Sequence, residues 1–187
     1  MALALTRQKL PVLPGTAADA IKGVALGGWI LAEAVDAEGA AAEPDVILIA
    51  TGSELSLAVG ARAELQAEGI RTRVVSLPAG DRFSAQPKSY RDLVLPPGHS
   101  KRVSVEAGVS LGWDRWVGPE GAIIALDRFG ASAPAGALFE AFGFTAGHVA
   151  QVARKVMIGE LSGVVSAAQH HDPAGADEAA ATHEGKA

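Results

Sequence analysis

Residues 45–78 decide the fold, and they read DVILIATGSELSLAVGARAELQAEGIRTRVVSLP. The stretch 45–51 is short and almost continuously apolar, which is typical of a strand that is covered on both faces. A second strand of similar character is predicted at 71–78. Because a helix fits between them, this stretch predicts two parallel strands joined by a right-handed crossover.

The helix of this unit has recognisable ends. Thr51 and Glu54 have the spacing of a capping box, and Ser53 is a competing N-cap, so the helix is predicted to begin here. Gly69 is well placed to end it. Its apolar stripe consists of Leu55, Ala58, Val59 and Leu65.

Further strands and helices follow in the same alternation. The stretches 101–107 and 121–127 are predicted as the next two strands. Pro134 suits the first turn of a helix, and Thr145 is predicted to cap the last one. The apolar residues of that last helix have the spacing i, i+3, i+4, i+7 and are Val149, Val152, Ala153 and Val156.

The alternation predicts a three-layer, doubly wound α/β fold with a mostly parallel sheet. We expect this domain to span residues 25–160, with an additional strand within 25–36. Residues 1–24 are interpreted as a tether that precedes it. Residues 161–187 are small, polar and interrupted by Pro and Gly, which indicates a disordered tail.

Composition narrows the function classes. The chain has 187 residues and a net charge of -5, with no basic run, which argues against nucleic-acid binding. It contains no cysteine, which excludes disulfides, thiolate catalysis and thiolate zinc sites. It has no run of about 18 apolar residues and no secretory signal, so we expect a cytoplasmic protein without a membrane partner.

The turn IATGSE at 49–54 is the first candidate for chemistry. A strand, a glycine and a helix N-terminus present free backbone N–H groups that suit an anion. The absence of a G-x-G-x-x-G motif and of a Walker lysine favours a capped structural turn, with a nucleotide site as the alternative. Glu106 and Asp127 end predicted strands, where ligands bind in open α/β sheets. A cap or an ion pair, such as Asp127 with Arg128, is the favoured interpretation of both.

The histidines and tryptophans give no catalytic assignment. His99 lies in a Pro/Gly loop and His148 in a helix turn, where we expect it to be solvated, and no metal spacing occurs. Trp113 and Trp116 would share one helix face, which suits packing on the sheet or a partner interface equally. Three further histidines fall in the predicted tail: His170, His171 and His183. We therefore assign no catalytic residue, cofactor-binding residue or metal ligand.

Several blocks together resemble the C-terminal part of transketolase. The most specific are TRQKLP and the pair DRFGASAP and LFEAFGFT, whereas ATGSE also occurs in other thiamine-diphosphate enzymes. The blocks run in order along the chain: LALTRQKLPVL (3–13), PDVILIATGSELSLAV (44–59), RVVSLP (73–78), YRDLVLPP (90–97), VSVEAGVSLGWDRWVG (103–118) and DRFGASAPAGALFEAFGFT (127–145).

The resemblance implies a homodimeric enzyme of three domains per chain. Its thiamine diphosphate and divalent cation, Mg²⁺ or Ca²⁺, bind in domains that have no counterpart in this chain. It moves a two-carbon ketol unit between sugar phosphates, with the cofactor as electron sink. It also implies that residues 1–24 are the end of the pyrimidine-binding domain and a linker, and that 25–160 is the C-terminal domain.

One substrate residue carries over from the family motif, the arginine that falls on Arg7. The resemblance implies that it binds the sugar-phosphate group, and a guanidinium fork matches phosphate oxygens. Gly80 departs from the family pattern, which usually has a bulky residue there.

Three functions follow as hypotheses. The first is the C-terminal part of transketolase, inactive alone and completed by the remaining domains or a second subunit. The second is a stand-alone assembly or regulatory module that binds a protein or nucleotide through GWDRW or ATGSE. The third is part of a related thiamine-dependent enzyme, against which the block DRFGASAP argues.

Overall fold

The computed structural model describes residue 6 and residues 8–166, without the side chains of 17–19 and 166. The elements of this part follow one another as α1 (Thr16–Leu26), β1 (Trp29–Ala32), β2 (Val46–Ala50), α2 (Leu55–Ala67), β3 (Thr72–Ser76), α3 (Gly80–Ser84), α4 (Lys88–Val94), β4 (Arg102–Val105), α5 (Asp114–Val117), β5 (Ala122–Ala125), α6 (Ala135–Ala141), α7 (Ala146–Met157) and β6 (Gly163–Ser166). Within these residues no helix has the length and apolarity that a membrane span requires.

In the described part of the chain, six strands form one sheet in the order β1-β3-β2-β4-β5-β6. The strands β2 to β6 pair in parallel, and only the edge strand β1 is antiparallel to its neighbour β3. The unit predicted from residues 45–78 lies at the centre, with Val46 opposite Thr72 and Ala50 opposite Ser76. The mostly parallel α/β fold class is confirmed.

Helices cover both faces of the sheet, which makes three layers. On β2, Val46 and Leu48 pack toward α2 and α7, whereas Ile47 and Ile49 pack toward the helices of the other face. All four side chains are fully buried, and each contributes roughly 1.5–3 kcal/mol through removal of apolar surface from water. This burial on two faces explains why the strand is continuously apolar.

Two of the predicted helix starts, at Thr51 and at Thr145, have different outcomes. Thr145 does cap α7, because its Oγ1 accepts the His148 backbone N–H at 3.2 Å. The capping box before α2 is wrong: Gly52–Glu54 form a 3-10 turn, and the Thr51 side chain makes no capping hydrogen bond. The Glu54 side chain turns inward instead and is only 4% exposed.

The two ends of the chain contain more regular structure than predicted. Helix α1 occupies Thr16–Leu26, where a tether and then a strand were expected. Gly27 ends it at φ 88°, and a Cβ there would lie 2.4 Å from the Phe83 backbone nitrogen, so only glycine fits. Strand β6 lies within the predicted tail and pairs with β5, while residues 167–187 lie outside the described residues.

The strand order places a topological switch point between β2 and β4. From β2 the chain continues to β3 on one side, and it then returns to place β4 on the other side. In open α/β sheets the crevice at the carboxyl ends of two such strands is the usual ligand site. The residues that follow β2 and β4 are therefore the first place to look for function.

Candidate functional site

The turn after β2 does not leave an anion site open. The Glu54 carboxylate accepts hydrogen bonds from the Ser53 hydroxyl at 3.0 Å and from the backbone N–H groups of Glu54 and Ala107. These are donors that an incoming phosphate would use. The turn is thus occupied by the protein's own carboxylate, which removes the basis for a nucleotide site in ATGSE.

Glu106, directly after β4, lies beside Glu54. Its Oε2 is buried and has no hydrogen-bond partner among the described residues. Burial raises the pKa of the Glu106 carboxyl to about 7, and the negative charge of Glu54 adds to this effect. Burial also raises the pKa of Glu54. The interpretation of Glu106 as a cap or ion-pair partner is therefore wrong, because it faces a second acid.

Asp127, after β5, is a structural anchor. Its Oδ1 accepts the Ser110 backbone N–H at 2.8 Å, and hydrogen bonds from Ser110 lower the pKa of the Asp127 carboxyl. This agrees with the capping interpretation, while the ion pair with Arg128 is replaced by a contact of that guanidinium with the Phe142 ring at 5.7 Å. Asp127 thus fixes the loop after β4 to the end of β5.

Three apolar side chains stand exposed at this same edge of the sheet. Leu111 and Phe129 are 88% and 95% exposed, and Val109 is also exposed. We call these three residues the carboxyl-edge patch. Large apolar side chains that are exposed together on one edge indicate a surface that another part of a protein covers.

Arg7, the one predicted substrate residue, lies outside the described residues. The chain that follows it is described and reaches the carboxyl edge of the sheet. Leu10, Pro11 and Leu13 line a groove of about 180 Å³ together with Gly52 and Ser53 of the turn after β2. The last two residues of the TRQKLP motif, Leu10 and Pro11, therefore lie beside the turn after β2.

The histidines do not form a site. His99 Nε2 lies 2.9 Å from Glu43 Oε2 at the opposite, amino edge of the sheet. His148 is half-buried rather than solvated, and its Nδ1 lies 2.8 Å from the Gly143 carbonyl oxygen. The other three histidines lie outside the described residues. In the described part of the chain, no group of three or more His, Asp or Glu side chains could hold a metal ion.

The tryptophans of GWDRW pack on the protein itself. Trp116 lies 5.6 Å from the Phe83 ring, and the Arg115 guanidinium lies 4.4 Å from the Trp116 ring. A Cβ at Gly80 would lie 3.0 Å from both Trp116 and Arg115, which explains the glycine at the position where the family usually has a bulky residue. Packing is thus the main role of these aromatic residues, and Trp113 belongs to the same cluster.

Sequence reasoning named Glu54 and Glu106 separately but missed that they form a pair. They are distant in sequence and meet only because β2 and β4 are neighbours in the sheet. The sequence did contain a signal for each residue separately: both Glu54 and Glu106 follow a buried strand and stand close to a glycine. That signal predicts that each glutamate lies at the carboxyl edge of the sheet. Only the strand order shows that the two glutamates are neighbours.

Comparison with known proteins gives a consistent result. Residues 27–145 match the family model of the transketolase-like TK C-terminal domain. Transketolase from Geobacillus stearothermophilus is 53% identical over 148 residues, which are 79% of this chain and 21% of that protein. Transketolase 7 from Craterostigma plantagineum is 49% identical over 154 residues, 82% of this chain and 22% of that protein. A transketolase mutant from Pichia stipitis, solved as a complex with fructose-6-phosphate, has a TM-score of 0.70 at 36% identity and covers 89% of this chain and 23% of that one.

The fold is a doubly wound α/β domain. At its switch point the carboxylates of Glu54 and Glu106 occupy the place where a nucleotide would bind in related folds. The matched family model covers most of this domain. The chain belongs to the transketolase family and corresponds to its C-terminal domain. It spans about a fifth of the length of the curated relatives that it matches.

Proposed function

We propose that the chain is the C-terminal part of an enzyme that transfers a two-carbon ketol unit between sugar phosphates. The observation that carries this proposal is the identity of about half of the matched residues with proteins named transketolase, across about four fifths of the chain. The chain by itself is non-catalytic in this proposal. It supports assembly and contributes one contact to the substrate phosphate.

We assign the cofactors to the remaining part of the complete enzyme. Thiamine diphosphate needs donors for its diphosphate and a divalent cation, Mg²⁺ or Ca²⁺, needs several oxygen ligands. The described residues do not fit either group, because Glu54 fills the turn after β2 and no three acidic or histidine side chains among them are placed to hold a metal ion. No step of the reaction is therefore assigned to the described residues.

Arg7 is proposed to bind the phosphate of the sugar substrate. The segment that follows it lies against the turn after β2 at the carboxyl edge of the sheet, so its position suits a boundary between domains. A guanidinium offers paired donors to phosphate oxygens and keeps its charge at any physiological pH. We further propose that residues 1–24 end the preceding domain and its linker, 25–160 form the C-terminal domain, and 161–187 form a tail.

The carboxyl-edge patch is proposed to dock on the remaining domains or on a second subunit of a homodimer, in the cytoplasm. Val109, Leu111 and Phe129 expose apolar surface that such a contact would remove from water. The alternative of a stand-alone module loses support, because the GWDRW tryptophans pack internally and the ATGSE turn is filled.

The role of Arg7 is tested by adding this chain to a relative from which the corresponding C-terminal region has been removed. Geobacillus stearothermophilus transketolase that lacks the matched region is mixed with this chain, and ketol transfer is assayed against sugar-phosphate concentration. Arg7→Ala is expected to lower kcat/KM by about 10- to 100-fold, mostly through KM, because a charge-assisted hydrogen bond to phosphate is lost. Lys9→Ala, a neighbouring exposed cation, is the matched control and should change little. Equal activity of the two variants would contradict the role of Arg7.

A further inference from the structure

Glu54 and Glu106 lie where two segments leave the sheet at its switch point. Glu54 belongs to the turn after β2, and one of its three hydrogen-bond donors is the backbone N–H of Ala107, the residue that begins the loop after β4. Glu106 stands immediately before this loop, which runs from Ala107 to Trp113 and which we call the 107–113 loop. Glu54 therefore connects this loop to the turn after β2, and Glu106 lies beside this connection.

The packing around the pair favours a single negative charge. Burial raises the pKa of Glu54 too, but three donors directed at its carboxylate oppose this effect and stabilise its ionised form. Glu106 Oε2 is buried without a partner, so an ionised carboxylate there would lose its hydration without compensation. Glycines allow this close approach: a Cβ at Gly52 would lie 3.4 Å from Glu54 Oε2, and one at Gly108 would lie 3.4 Å from Glu106 Cγ.

In the described part of the chain, no cation from the neighbouring elements offsets the negative charge of the two carboxylates. Asp127, after β5, is engaged by Ser110, and His148 at the start of α7 contacts the Gly143 carbonyl oxygen. The Arg128 guanidinium lies over the Phe142 ring. Burial and the charge of Glu54 are what act on Glu106, and both raise its pKa, to about 7. One proton is thus retained up to neutral pH.

We propose that Glu54 and Glu106 form a proton-dependent latch for the 107–113 loop. While Glu106 is protonated, the loop lies against the turn after β2. When Glu106 loses its proton, two carboxylates face each other and the loop loosens. Because the loop carries Val109 and Leu111, the latch rests on the proposed function and would regulate docking of the carboxyl-edge patch.

The first test is direct titration of the wild-type chain. The side-chain carboxyl carbon of Glu106 is followed by NMR between pH 4 and 9. The latch predicts that Glu106 is still protonated at pH 6 and becomes ionised around neutral pH. A Glu106 carboxyl that is fully ionised at pH 6 overturns the proposal, and this measurement needs no substitution.

The second test is amide hydrogen exchange of the 107–113 loop at pH 6 and pH 8, corrected for the intrinsic exchange rate. A group whose folded pKa is raised stabilises the closed state fully below its unfolded pKa, and this stabilisation is lost as the pH rises through the folded value. A full shift from 4.5 to about 7 would change the opening equilibrium about 300-fold. Between pH 6 and pH 8 this shift by itself accounts for about a tenfold change. Because Glu106 is partly exposed, we expect a smaller loss of protection at pH 8, about three- to fivefold.

Matched variants separate the latch from a general effect of pH. Glu106→Gln keeps the shape of the protonated side chain without its charge, so its loop should stay protected at both pH values. Glu140→Gln removes an exposed carboxylate from α6 and should behave as wild type. Equal pH dependence in wild type and Glu106→Gln would contradict the latch.

The affinity of this chain for the truncated Geobacillus stearothermophilus transketolase, measured at pH 6 and pH 8, distinguishes the latch from the proposed function. Tighter binding of wild type at pH 6 than at pH 8, with no such difference for Glu106→Gln, supports the latch. Equal binding at both pH values contradicts the latch and leaves the proposed function intact. Absence of binding at both values contradicts the proposed function, and the exchange measurement then decides on the latch alone.

Discussion

At the amino edge of the sheet charged side chains pair with each other, whereas at the carboxyl edge two acids face each other and apolar side chains stand in solvent. The amino-edge contacts join Arg71 to Asp45, Lys101 to Glu120, and His99 to Glu43. The carboxyl edge has Glu54 beside Glu106 and the exposed patch of Val109, Leu111 and Phe129.

The two edges therefore differ in how far their charged and apolar groups find partners within the described residues. At the amino edge these charges are paired within the described residues. The carboxyl edge keeps its anion-binding donors occupied, retains a buried unpaired oxygen and exposes large apolar side chains. Such a combination is unfavourable for a free surface, and the docking on further domains that we propose would cover it.

The largest expected effect is at the amino edge and concerns Arg102. Its guanidinium donates to the carbonyl oxygens of His99, Trp116 and Pro96 at 2.9, 2.7 and 2.6 Å. Arg102→Ala leaves these carbonyls unpaired and should lower the free energy of unfolding by about 3 kcal/mol, measured by urea denaturation. Lys101→Ala removes only an exposed ion pair and should leave stability nearly unchanged. Similar losses in both variants would contradict the claim that this edge is internally closed.

The second prediction compares one exposed apolar residue from each edge. Phe129 belongs to the carboxyl-edge patch, and Ile158 follows α7 at the amino edge with 69% exposure. Phe129→Ser should weaken docking on the truncated relative by about 2 kcal/mol, because a phenyl group is no longer buried on binding, while stability of the free chain stays unchanged. Ile158→Ser should alter neither quantity, as measured by calorimetry. Equal effects on docking would remove the distinction between the two edges.

The smallest prediction concerns acid stability. Hydrogen bonds from Arg71 lower the pKa of Asp45, so its contribution is present above the unfolded value of 3.8 and is lost as the pH falls through the lower folded value. Asp45→Asn should therefore cost about 0.5–1 kcal/mol at pH 7, a figure limited by solvent screening, and less at pH 2. Unfolding curves at the two pH values measure this, and a constant difference between variant and wild type would contradict it.

Residues whose environment is local were predictable from sequence. The strands β2 and β3 followed from continuous apolar runs, and α7 followed from its stripe and from Thr145. Helix α1 was missed because its small residues and Gly15, which precedes it at φ 84°, resemble a loop. Strand β6 was missed because four residues within a polar stretch carry too little pattern.

The candidate site was only partly predictable, because its key relation is not local. The switch point between β2 and β4 depends on strand order, and strand order brings Glu54 to Glu106. The Glu54 side chain also points inward, so it does not form the capping box that its spacing from Thr51 suggests. Arg7 came from the family motif and stays a prediction.

Restoration of ketol transfer is the most direct test of the central claim. Geobacillus stearothermophilus transketolase without the matched region is assayed alone, with this chain, and with the chain carrying Phe129→Ser. The account predicts no turnover by either component alone, turnover by the mixture, and a reduced apparent affinity for the variant. Absence of turnover at saturating concentrations of a folded wild-type chain, or turnover by this chain alone, would contradict it.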